Sequence, residues 1–129
     1  MQYIRYVAKD TPRSDDRTGI ERELKRGSLE LICLHMLDPG EAYGYEIATK
    51  LTTRTDGALS VTDGTLYPVL YRLERAGYVS VRWETPERGV PRKYYRLTDA
   101  GRDELARLKH EWKSFASALE RLLADEEGK

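Results

Sequence analysis

Between positions 62 and 93 the chain gathers side chains suited to holding a polyanion. Thr65, Tyr67, Tyr71 and Arg72 fall close together, and Arg88, Arg92 and Lys93 follow. Guanidinium and ammonium groups neutralise phosphate, and a threonine hydroxyl can donate to a phosphate or a base edge. A phenol combines apolar area with a hydroxyl, which suits sugar and phosphate contact. Tyr67 and Tyr71 stand four residues apart, so on a helix both phenols share one face. The overall charge hides this pattern. The 129 residues hold 22 Lys plus Arg and 22 Asp plus Glu, a net of zero. Residues 62–97 nevertheless carry +3 and residues 1–27 carry +2, while residues 28–61 and 98–129 carry −3 and −2. Catalytic chemistry has no comparable constellation. His35 and His110 are the only imidazoles, and no nucleophile motif, phosphate loop or zinc-ligand spacing occurs. Neither an enzyme nor a bound cofactor is expected.

A helix must present the tyrosines. Leu66, Val69, Leu70 and Leu73 recur at i, i+3, i+4 and i+7, which predicts a third helix beginning at Thr62 or Asp63. Its outside carries Asp63, Gly64, Tyr67, Pro68, Tyr71, Arg72 and Arg75. Thr62 suits the N-cap, Asp63 the positive helix end, and Gly77 the stop. Pro68 sits past the first turn and predicts a local distortion. Alternation of Val79, Val81 and Trp83 predicts a strand over 78–84, and Tyr95 with Leu97 a second over 92–97. The tip between them holds Pro86, Gly89 and Pro91, so the pair reads as a hairpin that carries Arg88, Arg92 and Lys93 outward.

The flanking segments supply the frame. Residues 1–19 read as a flexible arm bearing Arg5, Lys9, Arg13 and Arg17. A first helix from Ile20 is apolar nearly all round (Leu24, Leu29, Leu31, Ile32, Leu34, Met36, Leu37), so it needs cover on more than one side. A second subunit is the expected second cover. Cys33 and His35 lie in this run and read as inert packing and as a core or interface residue. Asp38-Pro39-Gly40 ends the helix. The second helix spans Tyr43 to Thr53, and its small Gly44 and Ala48 allow another helix to approach closely. Leu59 and Val61 alternate with Ser60 and Thr62, which predicts a very short strand. Thr98 caps a last helix reaching about Asp125, with Leu105, Leu108, Trp112, Phe115, Leu119 and Leu122 spaced as a heptad seam. At 1.5 Å per residue it is about 40 Å long, more than the small body can cover. A homodimer through this seam is expected.

The order of elements defines the fold class: mainly α (α+β), a winged helix-turn-helix with a two-stranded wing and a long C-terminal dimerisation helix. Residues 20–97 form the DNA-binding domain and 98–129 the dimerisation helix with a short tail. Such a fold places its third helix in a major groove, so double-stranded DNA is the expected partner. The alternative is a winged helix that binds protein without reading DNA; the basic wing argues against it. A lone cysteine fits a reducing, cytoplasmic setting. No apolar run reaches the roughly 18 residues of a membrane span, and the N-terminal residues lack the apolar stretch of a secretory signal, so no membrane partner is expected.

Three stretches resemble the PadR family of transcriptional regulators. Gly64-Thr65-Leu66-Tyr67-Pro68-Val69-Leu70-Tyr71-Arg72-Leu73-Glu74-Arg75-Ala76-Gly77-Tyr78-Val79 is similar to its signature. Arg92-Lys93-Tyr94-Tyr95-Arg96-Leu97-Thr98-Asp99-Ala100-Gly101 is the second match, and Tyr43-Gly44-Tyr45-Glu46-Ile47 the third. The resemblance spans about residues 24–123. It implies a dimeric repressor of genes for detoxification, efflux or phenolic-acid metabolism. The single C-terminal helix resembles the shorter subfamily, whose last helix packs on the partner's first. In multidrug-responsive members a tryptophan on that helix lines a flat central pore and stacks on aromatic ligands. Trp112 lies at the matching offset after Leu97, and Leu31 matches an aliphatic pore position. The resemblance therefore implies an effector pocket at Leu31 and Trp112 for a small planar aromatic molecule. Lys109 and Ala116 near Trp112 depart from the apolar pattern.

Overall fold

The computed structural model describes residue 24 and residues 27–127, with side chains through residue 124. The arm with Arg5, Lys9, Arg13 and Arg17, and the helix start at Ile20, lie outside the described residues. Helix α1 includes residues 27–36. It is followed by β1 (Ala42–Tyr43), α2 (Gly44–Arg54), α3 (Asp63–Arg75), β2 (Val79–Glu84), β3 (Arg92–Leu97) and α4 (Asp99–Glu127). The sheet is antiparallel in the order β1-β3-β2. Among the described residues no helix is long and apolar enough to cross a membrane.

The periodic residues close one core. Leu34 of α1, Leu37 just after it, Ile47 of α2, and Leu66, Leu70 and Leu73 of α3 are fully buried. Val79, Tyr95 and Leu97 add the inner face of the hairpin, and Leu105 adds the start of α4. Gly44 provides the close approach its size suggested: a Cβ there would overlap the Tyr67 hydroxyl. Cys33 is buried in the same cluster, and burial pushes its thiol up to about 12. At neutral pH it is therefore a protonated packing group and not a thiolate nucleophile. His35 is exposed and not in the core. The apolar residues of α1 outside the core face, Leu31 and Ile32, are only half-buried.

One expectation about local structure changes. Leu59–Val61 forms no strand. The Leu59 N–H donates to Thr55 Oγ1 at 3.0 Å, so a side chain takes the donor a strand ladder would need. The third strand is instead Ala42–Tyr43, paired with Tyr95 and Tyr94. The wing therefore belongs to a three-stranded sheet. Helix α3 runs through Pro68 without interruption. Pro68 is exposed, so the missing donor to the Gly64 carbonyl falls on the solvent side. The ring still costs up to about 3 kcal/mol relative to alanine in a helix interior.

The end of α3 is tied to the start of α4. Gly77 takes a φ of +83°, open to glycine but strained for other residues. The Gly77 N–H donates to the Glu74 carbonyl at 3.0 Å and the Tyr78 N–H to the Leu73 carbonyl at 2.9 Å. This pair closes the helix as a Schellman motif. Thr98 then bridges the two helices. Its hydroxyl donates to the Gly77 carbonyl at 2.7 Å and accepts from the Gly101 N–H at 3.0 Å. The Thr98 N–H donates to the Tyr78 carbonyl at 3.1 Å. Gly101 lies so near that a Cβ would overlap the same carbonyl oxygen.

Beyond Leu108 the helix leaves the core. Leu108 is half-buried, and Trp112, Phe115, Leu119 and Leu122 are exposed. Two substitutions probe the junction by thermal unfolding at fixed protein concentration. Gly101→Ala should cost about 2 kcal/mol and lower the melting temperature by several degrees. Thr98→Val should cost about 1 kcal/mol, with Thr98→Ser close to the parent. An unchanged melting curve for Gly101→Ala would remove the close approach from the account.

Candidate nucleic-acid interface

The core stripe of α3 leaves the opposite side of the helix in solvent. Thr65, Tyr67, Pro68, Tyr71 and Arg75 are all exposed. The Tyr67 ring leans toward Gly44 at the start of α2, whereas Tyr71 turns outward and accepts a bond from Arg75 Nη1 at 3.1 Å. Thr65 Oγ1 lies 3.3 Å from Thr62 Oγ1. That contact keeps the hydroxyl at the helix entrance, the end that carries positive partial charge.

The hairpin faces this helix across an open cleft of about 760 Å³. Tyr67 and Tyr71 of α3 line it, together with Trp83, Arg88, Arg92, Lys93 and Tyr95 of the hairpin. Strand alternation sets this arrangement. Trp83 and Lys93 share a face with the buried Val79, Tyr95 and Leu97, so they extend the core face of the hairpin past the core. Trp83 reaches 61% exposure as a result. On the other face, Arg82 lies 4.6 Å from the Tyr94 ring centre and grips Glu41, with Nε donating to Oε1 at 3.2 Å. That bond holds the Glu41 carboxyl below its usual range.

The cations differ in how free they are. Lys93 Nζ lies 3.1 Å from Glu74 Oε1, between the rings of Trp83 and Tyr95 at 5.8 and 5.4 Å. Desolvation alone would lower the Lys93 pKa, but the bond to Glu74 and the neighbouring Tyr95 outweigh it and leave it raised. Burial raises the Tyr95 phenol. Lys93 is thus charged, with much of its field met by Glu74. The Arg92 guanidinium sits 4.8 Å from the Tyr43 ring centre, and Arg88 makes no ion pair among the described residues. These two arginines carry the available charge of the wing at this cleft.

Arg72 stands apart from the other candidates. It points to the opposite flank of α3, with Nε 3.7 Å from Glu30 Oε2. There it lines a second groove of about 270 Å³ with Leu31, Leu108, Trp112 and Phe115. Leu31 and Trp112 therefore do share one recess. Its polar edges are Ser28, Glu30, Arg72 and Glu111, whereas Lys109 and Ala116 do not line it. Tyr43, Trp83 and Arg75 are part of the α3–wing surface although the sequence did not single them out as contacts. Only the i, i+4 spacing of Tyr71 and Arg75 could have signalled one of them. Among the described residues no cluster of three His, Cys, Asp or Glu side chains could hold a metal ion.

Comparison with known proteins matches the same segments. Residues 33–107 fit the Transcriptional regulator PadR-like family. The chain is 33% identical over 93 residues to an uncharacterised protein of Lysinibacillus sphaericus, covering 72% of this chain and 85% of that one. It is 36% identical over 84 residues to a transcriptional regulator of Mycobacterium tuberculosis, covering 65% and 75%. The crystal structure of a PadR family transcriptional regulator from Eggerthella lenta superposes with a TM-score of 0.75 at 32% identity, covering 86% of this chain and 95% of that one. The matched segment holds α2, α3, the wing and the start of α4, and on that ground the chain belongs to the PadR-like family of transcriptional regulators.

Proposed function

We propose that the protein acts as a homodimer on a pseudo-palindromic operator and represses transcription in the cytoplasm. The observation that carries this reading is the shared surface of α3 and the wing, where exposed Tyr67 and Tyr71 face Arg88 and Arg92 across one cleft. In this reading residues 20–97 bind DNA and residues 98–129 dimerise. Each α3 enters a major groove, and the two grooves lie about 34 Å apart, one turn of the duplex. Thr65, Tyr67 and Tyr71 meet bases and backbone, Arg88, Arg92 and Lys93 meet flanking phosphates, and Arg72 supports α3 from the side. The exposed residues of α4, Trp112, Phe115, Leu119 and Leu122, continue the seam begun by Leu105 and Leu108 and pack on a second chain. A planar aromatic effector in the groove at Leu31 and Trp112 would shift that packing and so the spacing of the two reading helices. Because groove spacing is fixed, a small change at the seam suffices to alter affinity.

Gel-shift titrations with DNA upstream of the protein's own gene, over a salt series, test the interface. Affinity should fall steeply with salt, and Arg92→Ala, which removes one phosphate contact from each protomer, should reduce the log–log slope by about 1.8. Lys93→Ala should change it less, because Glu74 already answers that charge. Affinity independent of salt would refute DNA recognition through this face. For the seam, sedimentation of Leu119→Asp should show monomers where the parent sediments as a dimer; a dimeric variant would rule out the heptad seam. For the groove, a planar aromatic dye should quench Trp112 fluorescence in a Trp83→Phe background. Unchanged emission at high micromolar dye would leave Trp112 a packing residue.

A further inference from the structure

Two residues of α3 weaken the helix, and nothing among the described residues calls for either. Gly64 has no positive φ, and a Cβ built on it would meet only Thr62 Oγ1, at 4.0 Å. Alanine would fit there and would favour the helix. Pro68 is exposed and lies outside the core cluster. It also lacks the N–H that would bond the Gly64 carbonyl. At 3.6 residues per turn, with Leu66, Val69, Leu70 and Leu73 facing inward, Gly64, Pro68, Tyr71 and Arg75 form the line pointing directly away from the core. Both costly residues therefore stand on the outermost ridge.

That ridge has an unusual chemistry for a reading helix. Its N-terminal half, the part that approaches base edges in a helix-turn-helix, holds no Arg, Lys, Asn or Gln. Paired hydrogen bonds to guanine or adenine need one of those side chains. Arg72 is turned to Glu30 on the flank, and Arg75 sits in the last turn, bonded to Tyr71. What the ridge offers is bare backbone at Gly64, apolar carbon at Pro68 and on the Tyr71 ring, whose hydroxyl is bonded to Arg75; Thr65 adds a hydroxyl to one side of it. Apolar carbon matches one feature of the major groove, the 5-methyl group of thymine.

We infer that Gly64 and Pro68 form a smooth reading ridge: Gly64 lets the backbone approach the bases, and the Pro68 ring packs on a thymine methyl in each operator half-site. The inference rests on the DNA-binding reading above and names the base feature that selects the site. It also gives the two helix-weakening residues a shared reason.

The full-length protein would first select duplexes from a random-sequence pool. Each thymine position is then replaced in turn by deoxyuridine, in both half-sites of the recovered duplex together, which removes only the methyl groups. At one position this should weaken binding by the parent about tenfold. Pro68→Ala should bind the thymine duplex about tenfold less well, with less than twofold discrimination against deoxyuridine and the parent's salt slope. Gly64→Ala should also bind less well, and both variants should melt above the parent, which separates a lost contact from a lost fold. Full thymine preference in Pro68→Ala, or equal binding of every deoxyuridine duplex, would overturn the ridge while leaving DNA binding intact. So would a larger loss from 7-deazaguanine than from any deoxyuridine. A pool that yields no enriched duplex overturns the DNA-binding reading and the ridge together.

Discussion

The Thr98 hydroxyl, shared between the Gly77 carbonyl and the Gly101 N–H, ties the exit of α3 to the entrance of α4. Each helix end has polar groups that its own helix cannot satisfy. Here the two sets of end groups are joined through one residue. Gly101, seated against the Tyr78 carbonyl, removes the slack that a side chain would introduce. The helix with the exposed tyrosines and the helix with the exposed apolar seam are thereby held as one piece. For a dimer built on α4, that rigidity converts the packing of the seam into the position of α3. A flexible link at residues 77–98 would leave the two reading helices without a defined spacing.

Charge in this chain acts by placement and not by total. The net is zero, and several basic residues are already engaged. Glu74 meets Lys93, Glu41 holds Arg82, Glu30 draws Arg72 aside, and Glu104 with Glu111 brackets Arg107. These pairs are at least partly exposed, so each adds little stability. Their larger effect is to fix which cations remain available at the α3–wing cleft, namely Arg88 and Arg92. A site that relies on few free charges depends more on shape, which fits a helix whose outer ridge is glycine, proline and tyrosine ahead of a single arginine, Arg75.

Much of this was legible in the sequence where a local signal decides the structure. The stripe Leu66, Val69, Leu70 and Leu73, closed by Thr62 and Gly77, marked α3 within a residue at each end. Alternation in Val79–Glu84 and Arg92–Leu97 marked the wing, and the heptad marked α4. The Ala42–Tyr43 strand was not legible, because two residues carry no period and the pairing depends on a free edge of β3. Leu59–Val61 did alternate, but Thr55 took its donor. Side-chain direction was likewise hidden. Arg72 and Tyr71 are adjacent in sequence, yet one helical step of about 100° sends them to different grooves. Trp83 followed the inward pattern of its strand, but the core ends before it does.

The claim that the α3–α4 tie sets the spacing of two reading helices can be measured directly. A spin label at Thr65→Cys, on the exposed first turn of α3, would report the separation between protomers; Cys33 is buried and protonated, and so is spared by thiol-specific labelling. The account predicts one narrow distance distribution centred near 34 Å, the span of one duplex turn. A broad distribution, or no dipolar coupling between labels, would contradict it.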